Sequence, residues 1–219
     1  MENCKLDVQG IIFDLDGTIV NSRQAYLDAA RTAFSAFGRT KFHTKTAFEI
    51  PRRFELNMPL SDLVEGIDER EFREIYLAAY YRATLTKTKP FPDIELALKT
   101  LSRRAKLALT TRRNVSANGI RTQLEKFGFV RYFEAVVTAV DTTNPKPSPE
   151  GIIECARRLG LKPSFCVVVG DSVIDIRAGK NAGTQTVAVL SGIFARKELQ
   201  QEGPDLILDS VKKLPDFIK

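Results

Sequence analysis

Short unbroken apolar runs alternate along the chain with stretches whose apolar residues recur every three or four positions. The runs at 10–14, 106–111, 135–138, 166–171 and 186–190 are rich in Val, Ile, Leu and Ala. Their length and composition predict strands buried on both faces, as in a parallel sheet. Residues 206–208 predict a short edge strand. Between these runs helical spacing returns. Ser116 opens a stretch with Ile120, Leu124 and Phe127 on one face. Ser148 as cap and Pro149 at the first helical position predict another helix, with Ile152, Ala156 and Leu159 as its stripe and Gly160 as its stop. Strands alternating with helices in this way predict an α/β fold around a parallel sheet.

Residues 20–90 interrupt the pattern, because no convincing strand occurs in them. Leu27, Ala30, Phe34 and Phe37 make one helical stripe. Asp68 and Glu71 resemble a capping box ahead of Phe72, Ile75, Ala79 and Ala83. Pro90 and Pro92 fit a linker at the far end. The expected organisation is an α/β core formed by 1–19 and 91–219, with an all-helical insert at 20–90. An insert after the first strand is expected over the carboxyl ends of the strands, where such sheets bind ligands.

Composition narrows the chemistry. There is no apolar run long enough to span a membrane. Glu2, Asp7 and Asp14 interrupt the start where a signal peptide needs a basic and then an apolar stretch, so a cytoplasmic protein is expected. Cys4, Cys155 and Cys166 are widely spaced and odd in number, which points to reduced thiols. The single histidine, His43, makes zinc clusters and a Ser/His/Asp triad poor candidates. Any metal must be held by oxygen, which favours Mg²⁺. The net charge of +6 raises the question of nucleic acid. The first 20 residues carry three net negative charges, however, and the excess of positive charge is spread over the rest without a basic stripe.

The residues that carry chemistry gather at strand ends. Asp14 and Asp16 follow the first strand, in the order Asp14, Leu15, Asp16, Gly17, Thr18. Two residues apart in an extended segment, they are expected to face one point, with Gly17 freeing the turn. Two such carboxylates repel unless a cation or a shared proton relieves them. Asp171 ends the fourth strand, with Ser172 and Asp175 entering a helix. That brings up to four carboxylates to one place, a hard-oxygen cage for Mg²⁺. Thr111, with Thr110 before it, ends the second strand and offers a hydroxyl and nearby backbone N–H groups to an anion. Lys146 lies among prolines just ahead of a helix, as a point charge for phosphoryl oxygens or the carboxylates. Carboxylates, a hard metal, a hydroxyl and a lysine together describe phosphoryl transfer.

In these motifs the chain resembles the haloacid dehalogenase-like hydrolases, and within them the phosphoglycolate-phosphatase-like branch with a helical cap of the C1 type. The segment from Asp14 to Thr18 matches the first motif of that family, Thr111 the second, Lys146 the third, and Asp171 to Asp175 the fourth. The resemblance implies a Rossmann-like three-layer α/β/α core and an aspartyl-phosphate mechanism. It makes Asp14 the nucleophile and Asp16 the acid and base. Thr111 and Lys146 would hold the phosphoryl group, helped by Gly17, Thr18 and Arg112. Mg²⁺ would be held by Asp14, the carbonyl of Asp16, Asp171 and Asp175. The implied activity is Mg²⁺-dependent hydrolysis of a small phosphorylated metabolite, phosphoglycolate-like or a sugar phosphate. The family also contains phosphomutases built from the same residues, of the β-phosphoglucomutase type. A nucleic-acid-binding module is the alternative from another class. No membrane partner is expected, and the sequence assigns neither a monomer nor a homodimer. Arg112 stands where many relatives have Asn. Arg52, Arg53 and His43 lie in the insert, where solvated surface positions account for them as well as substrate contacts do.

Overall fold

The computed structural model describes residues 5–219, so Cys4 lies outside the described residues. The chain divides into two compact units, 1–20 with 90–219 and 21–89.

The chain starts in the first unit with strand β1, Gly10–Phe13. It leaves through β2, Val20–Asn21, into helices α1 (Arg23–Ala36), α2 (Thr44–Leu56) and α3 (Glu69–Lys87). It returns through β3, Lys89–Pro90, which pairs with β2 as a two-stranded sheet. Then follow α4 (Ile94–Leu101), β4 (Lys106–Thr110), α5 (Ala117–Lys126), β5 (Ala135–Val137), α6 (Glu150–Leu159) and β6 (Cys166–Gly170). The chain closes with α7 (Val173–Ala182), β7 (Gln185–Val189), α8 (Arg196–Gln201) and β8 (Leu206–Leu208).

Six strands form one sheet in the order β5-β4-β1-β6-β7-β8, and every pair is parallel. The alternation of side chains sends Ile11, Phe13, Leu107, Leu109, Val167 and Val169 to one face. There they pack with Leu98 and Leu101 of α4 and Leu124 of α5. Ile12, Ala108 and Val168 point to the other face, against Ile152 and Ala156 of α6 and Ala178 of α7. Helices therefore cover both faces, giving the three-layer α/β/α architecture. From β1 the chain runs outward one way through β4 and β5, then reverses to β6 on the other side of β1. The carboxyl end of β1 is thus the switch point of the sheet, where an open α/β fold leaves a crevice.

Helix boundaries follow local chemistry. The Ser116 hydroxyl accepts from the Gly119 N–H and caps α5. Gly160, at φ 69°, ends α6. That helix begins at Glu150, not at Pro149, and the Ser148 hydroxyl accepts the Glu150 N–H at 3.3 Å.

In the second unit, the Asp68 carboxylate accepts the Glu71 N–H and caps α3. Its core is aromatic, with Phe34 against Phe72 at 4.9 Å and Tyr26 stacked on Tyr80 at 5.2 Å. The buried face of α1 is Ala25, Tyr26, Ala29, Ala30, Ala33 and Phe34. Of the expected stripe, Ala30 and Phe34 are buried while Leu27 and Phe37 are half-buried, so the buried face is turned towards Tyr26, Ala25, Ala29 and Ala33. Among the described residues no helix is long and apolar enough to cross a membrane.

Candidate active site

Asp14 directly follows β1, and its N–H donates to the Val169 carbonyl of β6 at 2.9 Å. Lys146 reaches it from the loop ahead of α6. The Lys146 ammonium donates to Asp14 Oδ1 at 2.8 Å, to Asp175 Oδ1 at 2.8 Å and to the Thr110 carbonyl at 3.3 Å. All three of its protons are used. The Lys146 side chain is only 5% exposed and that of Asp175 only 3%. Burial works against the Lys146 charge, but the Asp14 and Asp175 carboxylates outweigh it and hold the ammonium above the usual lysine range. Burial pushes the Asp14 carboxyl up to about 7, with Lys146 pulling it down and Asp175 pushing it up.

Asp171 follows β6 and accepts from the Thr18 hydroxyl at 2.8 Å. Two glycines make room for its carboxylate. A Cβ at Gly17, which also sits at φ 86°, or at Gly192 would run into it. Ser191 donates to the Gly17 carbonyl at 2.7 Å and ties the loop after β7 to the turn after β1. Asp175, in the first turn of α7, accepts from the Ser172 N–H and hydroxyl.

Oxygen atoms of Asp14, Asp171 and Asp175 lie within 4.8 Å of one another. Three buried carboxylates face one buried ammonium, and a hard divalent cation suits both the excess charge and the all-oxygen donor set. The residues present therefore fit a metal.

Asp16 is placed differently from the expectation. The two carboxylates take separate partners, while the Asp16 charge stays near enough to push the Asp14 carboxyl up. Arg113 Nε donates to Asp16 Oδ2 at 2.7 Å, and Nη2 donates to Oδ1 at 2.5 Å. The Asp16 carboxylate is outside the metal-competent group, which has three members rather than four.

The threonines are also redistributed. Thr110 follows Leu109, the register partner of Phe13, so it lies beside Asp14. Its hydroxyl is directed at Gly151 of α6, on the sheet face shared with Ile12 and Ala108. Thr111 faces the opposite way by strand alternation, and its hydroxyl accepts the Arg113 N–H at 3.2 Å. Both threonines, Arg112 and Lys146 line a small hollow, together with Thr138 and Asn144. Thr18 is committed to Asp171, and Gly17 serves the close approach of that same carboxylate, so both stand behind the acidic cluster.

Arg113, Gln123, Ser191 and Gly192 are the contacts that motif reasoning missed. Only the Gly type at 192 carried any signal in the sequence. In the second unit, His43 is exposed at the start of α2. Arg53 is engaged by Asp62 and Glu49 of its own unit, and Arg52 lies 3.6 Å from Glu49.

Residues 11–189 match the family model described as haloacid dehalogenase-like hydrolase. A protein named pyrophosphatase PpaX, from Halalkalibacterium halodurans, is 28% identical over 97% of this chain and 98% of its own length. A protein named phosphoglycolate phosphatase, from Psychrobacter arcticus, is 26% identical over 97% of this chain and 96% of its own. Among solved structures, a haloacid dehalogenase-like hydrolase from Streptococcus pneumoniae superposes with a TM-score of 0.79. It is 22% identical and covers 96% of this chain and 98% of its own.

Proposed function

Since the chain belongs to the haloacid dehalogenase-like hydrolase family, we propose that it is a Mg²⁺-dependent phosphatase of a small phosphorylated metabolite, working through an aspartyl-phosphate at Asp14. The observation that carries this reading is Asp14 at the switch point of the sheet, held by Lys146 and grouped with Asp171 and Asp175.

In this mechanism the Asp14 carboxylate forms a bond to phosphorus as the bond to the leaving oxygen breaks. Asp16 gives a proton to that oxygen and later takes one from the attacking water. Lys146 offsets the Asp14 charge and, with the Thr111 hydroxyl and the N–H group at Arg112, receives the phosphoryl oxygens. Asp14, the carbonyl of Asp16, Asp171 and Asp175 would hold Mg²⁺, which supplies positive charge to the phosphoryl oxygens when bound. Arg112, on the hollow beside Lys146, is the candidate substrate contact of the first unit. The names carried by the relatives put pyrophosphate and phosphoglycolate first on a substrate panel. The reduced thiols of Cys155 and Cys166 accord with a cytoplasmic enzyme.

The test is Asp14→Asn assayed on an aryl phosphate with Mg²⁺. Hydrolysis is expected to fall by at least about 10³-fold with the fold intact by circular dichroism. Retained turnover in a folded variant would remove Asp14 from the mechanism.

A further inference from the structure

Arg113 is a buried guanidinium that neither the motifs nor the mechanism above uses. Its side chain is 3% exposed. Nε and Nη2 fork onto both oxygens of Asp16, while Nη1 donates to Gln123 Oε1 of α5 at 2.6 Å. The backbone is fixed as well. The Arg113 N–H donates to the Thr111 hydroxyl, and its carbonyl accepts from the Ala139 N–H at 3.3 Å. An arginine tied down at the backbone and at both ends of its guanidinium is a rigid bracket, and Asp16 is what it holds. A side-on fork fixes the plane of a carboxylate, which otherwise rotates freely about its last torsion.

We infer that Arg113 is a positioning residue that aims the Asp16 carboxylate at the water hydrolysing the phosphoenzyme, with Gln123 as its anchor. The inference rests on the aspartyl-phosphate reading. The fork takes one lone pair from each Asp16 oxygen and so fixes the direction of the others. An oxygen so held keeps its basic lone pair in place before water arrives, which is where orientation gains rate. In the step concerned, the water oxygen bonds to phosphorus and one of its protons passes to Asp16. The bond from phosphorus to the Asp14 oxygen breaks, and its electron pair returns to Asp14. Inorganic phosphate leaves.

The two halves of the reaction separate with 4-nitrophenyl phosphate, because nitrophenolate departs as an anion and needs no proton from Asp16. Arg113→Lys keeps the charge and loses the fork, and Arg113→Gln loses both. With Mg²⁺ present and rapid mixing, both variants are expected to release nitrophenolate in a burst at a rate within about 3-fold of wild type. A steady rate at least about 10-fold lower relative to the burst should follow, with glutamine worse than lysine. Acid-quenched protein should then carry more phosphoryl group on the Asp14 peptide than wild type does. An inactive fraction lowers burst and steady phase together, so their ratio reads only folded enzyme. If the ratio stays at the wild-type value, or if KM alone rises, Arg113 supports the fold or binds substrate and the inference is overturned. Failure of the underlying reading looks different, because wild type would then carry no phosphoryl group on Asp14 at all.

Discussion

At Lys146, one ammonium faces two buried carboxylates, Asp14 and Asp175, each at 2.8 Å. Removing one member of such a buried set leaves uncompensated charge, at a cost of about 3–5 kcal/mol. Lys146→Met is therefore expected to lower stability by that order in urea unfolding without metal, and added Mg²⁺ should recover part of it. Unchanged stability would show that the charges are relieved elsewhere. Asp14 gives a second handle. Its carboxyl sits at about 7 in the fold, against an ordinary 3.8, because burial raises it, with help from Asp175, by more than Lys146 lowers it. A carboxyl with a raised folded value keeps its proton in the fold after the unfolded chain has lost it. Its contribution is full below about pH 4 and lost as pH climbs through about 7, while Lys146 stays charged throughout. Metal-free wild type should lose on the order of a few kcal/mol across this window relative to Asp14→Asn. Equal slopes in the two proteins would contradict the assignment. The identities of Asp14, Asp171 and Asp175 were legible in the sequence because each follows a strand or opens a helix, and that of Lys146 because prolines flank it ahead of a helix. Arg113 was not, because a buried arginine three residues past a strand looks like any loop cation until its partner is seen.

At the scale of elements, the loop after β7 and the start of α7 hold the acidic cluster from behind. The Asp171 carboxylate occupies the space a side chain at Gly192 would need, and Ser191 fixes the Gly17 carbonyl. Gly192→Ala is expected to displace Asp171 and weaken Mg²⁺ binding by about 10–100-fold in calorimetry, with little change in secondary structure. Unaltered affinity would mean that Asp171 is dispensable for the metal. Ser172 caps α7 through the Asp175 N–H while Asp175 answers the Ser172 N–H. One local motif thus starts a helix and orients a carboxylate at the same time. Strands were readable as unbroken apolar runs because a sheet covered on both faces needs apolar residues on both. The helices of 21–89 were harder. The buried face of α1 joins Tyr26 and Phe34 to Ala25, Ala29 and Ala33, whereas a stripe of large apolar residues takes in the half-buried Leu27 and Phe37. The helix α2 was not foreseen as an element, since it has only Ala47, Ile50 and Pro51 buried.

For the molecule as a whole, the parallel order and the reversal around β1 explain why residues as far apart as 14, 110, 146 and 175 meet. The α/β class followed from the alternation of strand and helix, and the three-layer core from the resemblance that four motifs in order supported. Partners of Asp16 and the exact facing of Thr110 and Thr111 depend on turns after the strands, where periodicity carries no information. The net charge of +6 now has a context. The first 20 residues are net acidic and the excess of cations is spread over the rest without a basic stripe, which suits attraction of a small anion more than a groove for a polyanion. Raising salt from about 0.05 to about 0.5 M is expected to lower kcat/KM for a phosphorylated substrate several-fold while leaving kcat nearly constant. A fall in kcat alone would deny long-range attraction a part.

The most direct measurement is mass mapping of wild-type protein acid-quenched during turnover of a phosphate ester with Mg²⁺. One added phosphoryl group is expected on the peptide containing Asp14, absent from Asp14→Asn. Turnover with no phosphorylated peptide, or with the group on another residue, would contradict it.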